Sequence, residues 1–149
     1  MSKMSPQHDI PCPCGGTQSK AKGAVGQGQG QGHIQTYANC CARFIDGGAC
    51  APDASLLMRS RYSAYVFERS DYLLSTWDPT SRPETIEFDQ NTKWLGLEIK
   101  SFKLTSEDSA EVEFVARYRV FGRGQRLHER SHFVLSNQVW LYKSGDMLG

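Results

Sequence analysis

Two tight cysteine pairs bracket a stretch with almost nothing to bury: Cys12 and Cys14 in "CPC", Cys40 and Cys41 in "NCC", and "GQGQGQG" between them. Residues 15–36 carry almost no large apolar side chain, so this segment cannot offset its own ordering entropy and is expected to be a flexible loop. It lacks the flanking strand, the flanking helix and the third-glycine spacing of a phosphate-binding loop. Order in this third of the chain must therefore come from the thiols. A zinc ion takes four soft or borderline ligands in a tetrahedron; a C-x-C pair supplies two and a second pair the rest, which makes Cys12, Cys14, Cys40 and Cys41 the candidate ligand set. The adjacent pair Cys40-Cys41 must turn both side chains toward one ion, which requires a tight turn or a helix start there. His33 is an alternative ligand in place of one cysteine. A redox pair formed by Cys12 and Cys14, or inert thiols, are the competing readings. The fifth cysteine, Cys50, is expected to be a small buried hydrophobe.

The 17 basic and 16 acidic side chains leave a net charge of +1, so the chain lacks the basic excess expected of a nonspecific nucleic-acid binder. The first ten residues are polar, and no segment approaches the roughly 18 apolar residues of a membrane span. A soluble cytoplasmic protein is the expectation. In that reducing compartment paired cysteines are more often metal ligands or catalytic thiols than disulfides.

Structure resumes near Pro52. Asp53 is a candidate N-cap, and Ala54, Leu57, Met58, Arg61, Tyr62, Tyr65 and Val66 draw one helical stripe, predicting a helix to about Glu68. That stripe holds a single charge, Arg61. A second short helix, "SDYLLSTW", is expected to start at a Ser70 cap and end before Asp78-Pro79. From Trp94 the period changes to two. "WLGLEIKSFKLT" slips phase near Lys100-Ser101, which predicts a strand with a bulge, and "AEVEFVARYRVF" places Ala110, Val112, Phe114, Ala116, Tyr118 and Val120 on one face. "QRLHERSHFVLS" and "QVWLYKS" supply two more strands. Helices followed by antiparallel strands predict an α+β fold with the helices covering one sheet face. A type II′ turn at Gly122-Arg123 would set Tyr118 against Leu127, Ala116 against Glu129, Phe114 against Ser131 and Val112 against Phe133. Glu129 and Ser131 then turn inward, while His128 and His132 lie on the outer face among Arg117, Arg119, Arg123, Arg126 and Arg130. That face is expected to be solvated and balanced by Glu111 and Glu113.

"CPCGG" followed by "YANCC" resembles the SEC-C zinc motif, although the 25 residues between Cys14 and Cys40 are many more than its usual spacing. Lengthening such a loop about threefold costs only ~1 kcal/mol of closure entropy, against apparent zinc-site energies of ~10–16 kcal/mol. "LMRSRYSAYV", "DYLLSTWDPTSRP", "WLGLEIKSF" and "LHERSHFVLSNQVWLYKSGD" extend the likeness: the chain resembles the YchJ-like family of small bacterial proteins. That resemblance implies a zinc-binding segment over residues 1–50 and a nuclear-transport-factor-2-like domain over 51–149. It also implies a cone in which helices pack on a curved antiparallel sheet, within a family of unestablished molecular function.

The concave side of such a cone can form a pocket. Its candidate lining is Arg61, Tyr62, Trp77, Glu129, Ser131 and Trp140, with Arg61 and Glu129 expected to meet, because an unpaired buried charge costs several kcal/mol. No nucleophile–base pair stands out. The chain therefore reads as a non-enzymatic module with zinc as its cofactor, docking a protein partner through the zinc segment, binding a small molecule in the cone, or packing as a homodimer. Nucleic acid and membrane are not expected partners. The alternatives are an enzyme using Glu129 or Asp78 as acid or base with Arg61 as an anion anchor, and a thiol redox protein.

Overall fold

The computed structural model describes residues 9–16 and 35–148. His33 and most of the Gly/Gln-rich insertion lie outside the described residues. After a 3-10 turn at Tyr37–Asn39 come α1 (Ala42–Ile45), α2 (Ala54–Val66) and α3 (Ser70–Ser75). Strands β1 (Thr92–Ser106), β2 (Ser109–Val120), β3 (Arg123–Ser136) and β4 (Val139–Met147) follow. The strands pair in sequence order as one antiparallel meander. Irregularities in the β1–β2 register, one between Ile99 and Ser101, and one in β3–β4 after His132 bend the strands, as bulges do. The expected slip at Lys100 is one of them.

Helix α2 begins where Asp53 accepts the Leu56 N–H at 2.9 Å and stops before Glu68, whose φ of 56° is left-handed. Its stripe of Leu57, Met58, Arg61 and Tyr62 is buried against the sheet, but so are Ser60, Ser63 and Ala64 on the other side. The helix is covered on two faces, by the sheet on one and by α3 and the cysteine segment on the other. Small residues on the second face allow the close approach: Ser60 donates to the Leu57 carbonyl and meets the Tyr72 hydroxyl at 2.7 Å. Helix α3 differs in one detail from expectation. Ser70 is its first helical residue, and the N-cap is Arg69 with no side-chain capping bond. Arg69 instead pairs with Asp46 and Asp71.

The β2–β3 hairpin corrects the expected register. Val120 pairs with Arg123 across Phe121 and Gly122, and Ala116 therefore faces Leu127, Phe114 faces Glu129, Val112 faces Ser131 and Ala110 faces Phe133. Both turn residues have positive φ, 50° and 79°, the signature of a type I′ turn whose twist matches that of the strands. The ring of Phe121 stays outside, 76% exposed. Moving the turn by one residue shifts pairing by two, the period of a strand, so every inward side chain stays inward.

Burial of several phenols predicts an alkaline weakness. Burial pushes Tyr62 and Tyr72 up to about 12 and moves Tyr37 and Tyr142 in the same direction; an unfolded tyrosine ionises near ~10. The unfolded chain thus loses these protons first. Stability is unaffected by them below pH ~10 and declines as pH rises from ~10 through about 12, the contribution of Tyr37 and Tyr142 continuing to fall beyond that. Tyrosinate absorbance is expected to rise in step with unfolding, not ahead of it. An early rise of all phenols in a still-folded chain would contradict the burial.

Candidate functional site

Cys12, Cys14, Cys40 and Cys41 converge. Their four Sγ atoms lie within 4.8 Å of one another, and all four residues are buried. Cys14 and Cys40 Sγ are 3.6 Å apart, far beyond a disulfide bond of ~2.05 Å and near the ~3.8 Å sulfur–sulfur edge of a tetrahedron with ~2.3 Å metal bonds. The backbone builds this arrangement from both sides of the insertion. Pro11 bridges Thr36, the Cys12 N–H donates to the Gln35 carbonyl at 2.8 Å, and the Gln35 N–H donates to Gly16 at 3.0 Å. Gly15, at φ 72°, turns the chain after Cys14, and the 3-10 turn running into α1 aims adjacent Cys40 and Cys41 at the same point.

Outer contacts suit thiolates. The Gly16 N–H donates to Cys14 Sγ at 3.2 Å, and the Ser63 hydroxyl lies 3.5 Å from Cys12 Sγ. A β-carbon at Gly16 would crowd Cys14 Sγ at 3.2 Å and touch Cys40 Sγ at 3.6 Å. Charge is unevenly shared within the quartet. Hydrogen bonding from Cys14, and also from Cys40 and Cys41, pulls the Cys12 thiol down, whereas Cys12 first and then Cys14 push Cys40 and Cys41 up. A cation at the centre would remove this conflict by deprotonating all four. The cluster could hold a metal ion with a closed, four-protein-ligand shell. Cys50 is not part of it and, contrary to expectation, is exposed, on the connection between α1 and α2, where no core element covers it.

The second feature is a cavity of ≈ 250 Å³ between α2 and the sheet. Of the residues expected there, Arg61, Tyr62, Glu129 and Ser131 line it; Trp77 and Trp140 do not. Trp140 points toward α1 and borders a separate recess with Phe44, Leu57 and Tyr72. Trp77 lies behind Arg61, its ring 4.9 Å from the guanidinium carbon, with Tyr142 at 4.6 Å on the same cation. The lining residues that sequence reasoning missed are Met58, Tyr65, Trp94, Phe114, Ala116, Leu127 and Tyr142. Two were within reach: Tyr65 stands four residues beyond Arg61 on the same stripe, and Tyr142 is the next inward position after Trp140.

Arg61 and Glu129 share the cavity but form no ion pair, a correction to the expected contact. The arginine is 3% exposed, and its Nη1 donates to the Leu73 carbonyl at 2.9 Å and the Thr76 hydroxyl at 2.7 Å. These bonds and the two aromatic faces hold a cation whose pKa burial lowers. Glu129 accepts from the Ser131 hydroxyl at 2.8 Å and from the Tyr142 hydroxyl at 3.3 Å. Gly145 faces Ser131 across the sheet, and a β-carbon there would fall on the Glu129 carboxylate. Asp78 is elsewhere: it accepts the Thr80 N–H at 3.1 Å in a local turn and pairs with Lys143 at 3.3 Å. Those contacts, the Thr80 bond first, hold its carboxyl below the usual range, which makes it a weak base.

On the outer face His128 Nε2 lies 2.7 Å from Glu113, and His132 sits between Glu111 at 3.5 Å and Asp146 at 2.8 Å. Arg117 and Arg130 reach Glu98 and Glu113 at about 4 Å. Among the described residues no helix is long and apolar enough to cross a membrane.

A bent antiparallel meander wrapped on a central helix, with four buried thiols fastened to that helix, defines an α+β cone protein with a four-cysteine cluster. A family model described as "YchJ, middle NTF2-like domain" matches residues 53–145, and the chain belongs to this YchJ-like family. It is 47% identical over 136 residues to a UPF0225 protein of Polaromonas naphthalenivorans, covering 91% of this chain and 96% of the relative. It is 43% identical over 148 residues to one of Bordetella pertussis, covering 97% and 98%. Two solved structures share the fold. One is a SEC-C motif-containing protein of Rhodopseudomonas palustris, with TM-score 0.69 and 31% identity over 79% of this chain and 96% of that one. The other, from Psychrobacter arcticus, is also SEC-C motif-containing, with TM-score 0.73 and 25% identity over 96% and 85%.

Proposed function

We propose that this protein is a non-enzymatic binding module in which Cys12, Cys14, Cys40 and Cys41 hold a structural zinc ion. In this reading the cone cavity receives a small molecule and the zinc-fastened segment presents a surface to a protein partner. One observation carries the metal assignment: four buried sulfur donors lie within 4.8 Å with tetrahedral-edge spacing. All-sulfur tetrahedral sets favour zinc or iron–sulfur chemistry, and a mononuclear set closed by protein leaves no position for substrate. The SEC-C motif of the two related structures supports the same reading.

Two further observations favour binding over catalysis. Glu129 is already engaged by two hydroxyls, and Asp78 does not line the cavity. The outer-face arginines 117 and 130 face carboxylates of their own sheet, which argues against phosphate contacts there.

Elemental analysis of untagged, freshly purified protein tests the reading. One zinc per chain is expected, absent in Cys40→Ser. Protein without metal, or holding stoichiometric iron with a visible charge-transfer band, would sink the zinc assignment.

A further inference from the structure

The cone cavity contains two opposite charges that share its lining without forming an ion pair. Arg61 is a nearly inaccessible cation, and its bonds to the Leu73 carbonyl and the Thr76 hydroxyl both leave from Nη1. Among buried side-chain nitrogens and oxygens of the described residues, Trp77 Nε1 is the one without a hydrogen-bond partner. The guanidinium also faces the Tyr65 hydroxyl, itself part of the cavity wall, so its remaining N–H groups border the cavity that Arg61 lines. Across that cavity stands the Glu129 carboxylate. It is steadied on one oxygen by Ser131 and Tyr142, and the missing side chain of Gly145 makes room for it. Between the two charges the wall is apolar: Met58, Trp94, Phe114 and Leu127.

A buried cation and a half-buried carboxylate that form no ion pair each keep capacity for a further charged partner beyond the groups that hold them. A ligand with one charge, of either sign, would pair with one of them and face repulsion from the other. A ligand with both charges, close together and carrying an apolar group, would complete both and cover the apolar wall. The volume of ≈ 250 Å³ lies just under the ~300–1,000 Å³ of sites for drug-sized ligands, and so suits a small metabolite. Resting on the reading of the cavity as a ligand site, we infer that its occupant is a small zwitterion of the α-amino-acid class with an apolar side chain. The carboxylate pairs with Arg61 and the ammonium with Glu129.

The test is calorimetric titration of the full, metal-loaded chain with three probes of one shape: phenylalanine, 3-phenylpropionate, which lacks the ammonium, and phenethylamine, which lacks the carboxylate. Phenylalanine is expected to bind at least about tenfold more tightly than either analogue. In Glu129→Gln its advantage over 3-phenylpropionate is expected to vanish while the carboxylate still binds. Gly145→Ala, which displaces the Glu129 carboxylate and leaves its charge, should erode the same preference. Far-UV spectra of both variants show whether the fold is kept. Equal or tighter binding of 3-phenylpropionate in the native chain and Glu129→Gln would overturn the zwitterion assignment and leave the cavity a ligand site for anions. Failure of all three probes to bind the native chain would overturn both.

Discussion

Replacing Cys14 by serine, or stripping the proposed metal with a strong chelator, is expected to lower the melting temperature of the whole chain by 10 °C or more. The reason lies in where the thiols are packed. Cys12, Cys14, Cys40 and Cys41 belong to the same buried cluster as Ala54, Leu57, Tyr62 and Leu73. The segment is tied to α2 by the Arg59 bond to the Cys14 carbonyl at 2.8 Å and the Ser63 contact to Cys12. Loss of one ligand forfeits a large share of a metal-binding free energy of ~10–16 kcal/mol and leaves buried polar thiols without a cation. If only ~3 kcal/mol of that reached the cone, the midpoint would still fall by roughly 10 °C for a domain of this size. Scanning calorimetry of native protein, Cys14→Ser and chelated protein measures it. An unchanged main transition after metal loss would mean that the segment is fastened to the cone without contributing to its stability.

The second large effect is expected at Phe133. This β3 side chain is fully buried, sits opposite Ala110 on β2 and Tyr142 on β4, and meets the Tyr142 ring edge-on at 5.7 Å. Phe133→Ala removes a large ring where the small Ala110 cannot refill the space, and buried Phe→Ala changes cost ~3–5 kcal/mol. Urea unfolding should show a lower midpoint with an unchanged slope. Tyr142 closes one face of Arg61 and donates to Glu129, so the same change is expected to loosen the cavity. A loss below ~1 kcal/mol would show that the sheet collapses onto the gap and that Phe133 is not a keystone.

Periodicity made the architecture legible. The Arg61 stripe, the Asp53 cap and the four alternating runs are local signals, and each became the element it predicted. The β2–β3 register was legible only modulo two: alternation states which face a side chain takes but not which partner it meets, and the choice between a Gly122-Arg123 and a Phe121-Gly122 turn decides the rest. Ser60, Ser63 and Ala64 are buried although they lie outside the one apolar stripe that the sequence shows, and nothing local announces that a second layer will cover them. Val115 went unnoticed for a similar reason. It lies on the outer face yet is 1% exposed, between Glu98 and His128 of the neighbouring strands.

Sequence by itself determined the residue types, the helix-then-strand order, the inward face of each strand and the thiols available to a metal, because these depend on neighbours a few positions away. Tertiary structure alone decided that the two cysteine pairs close over α2. It also decided that Trp77 supports Arg61 from behind instead of lining the cavity, and that Arg61 and Glu129 stand apart. Those outcomes depend on the separation of groups far apart in the chain, which the turn geometry and the packing of α2 against the bent sheet set, and which no local pattern encodes.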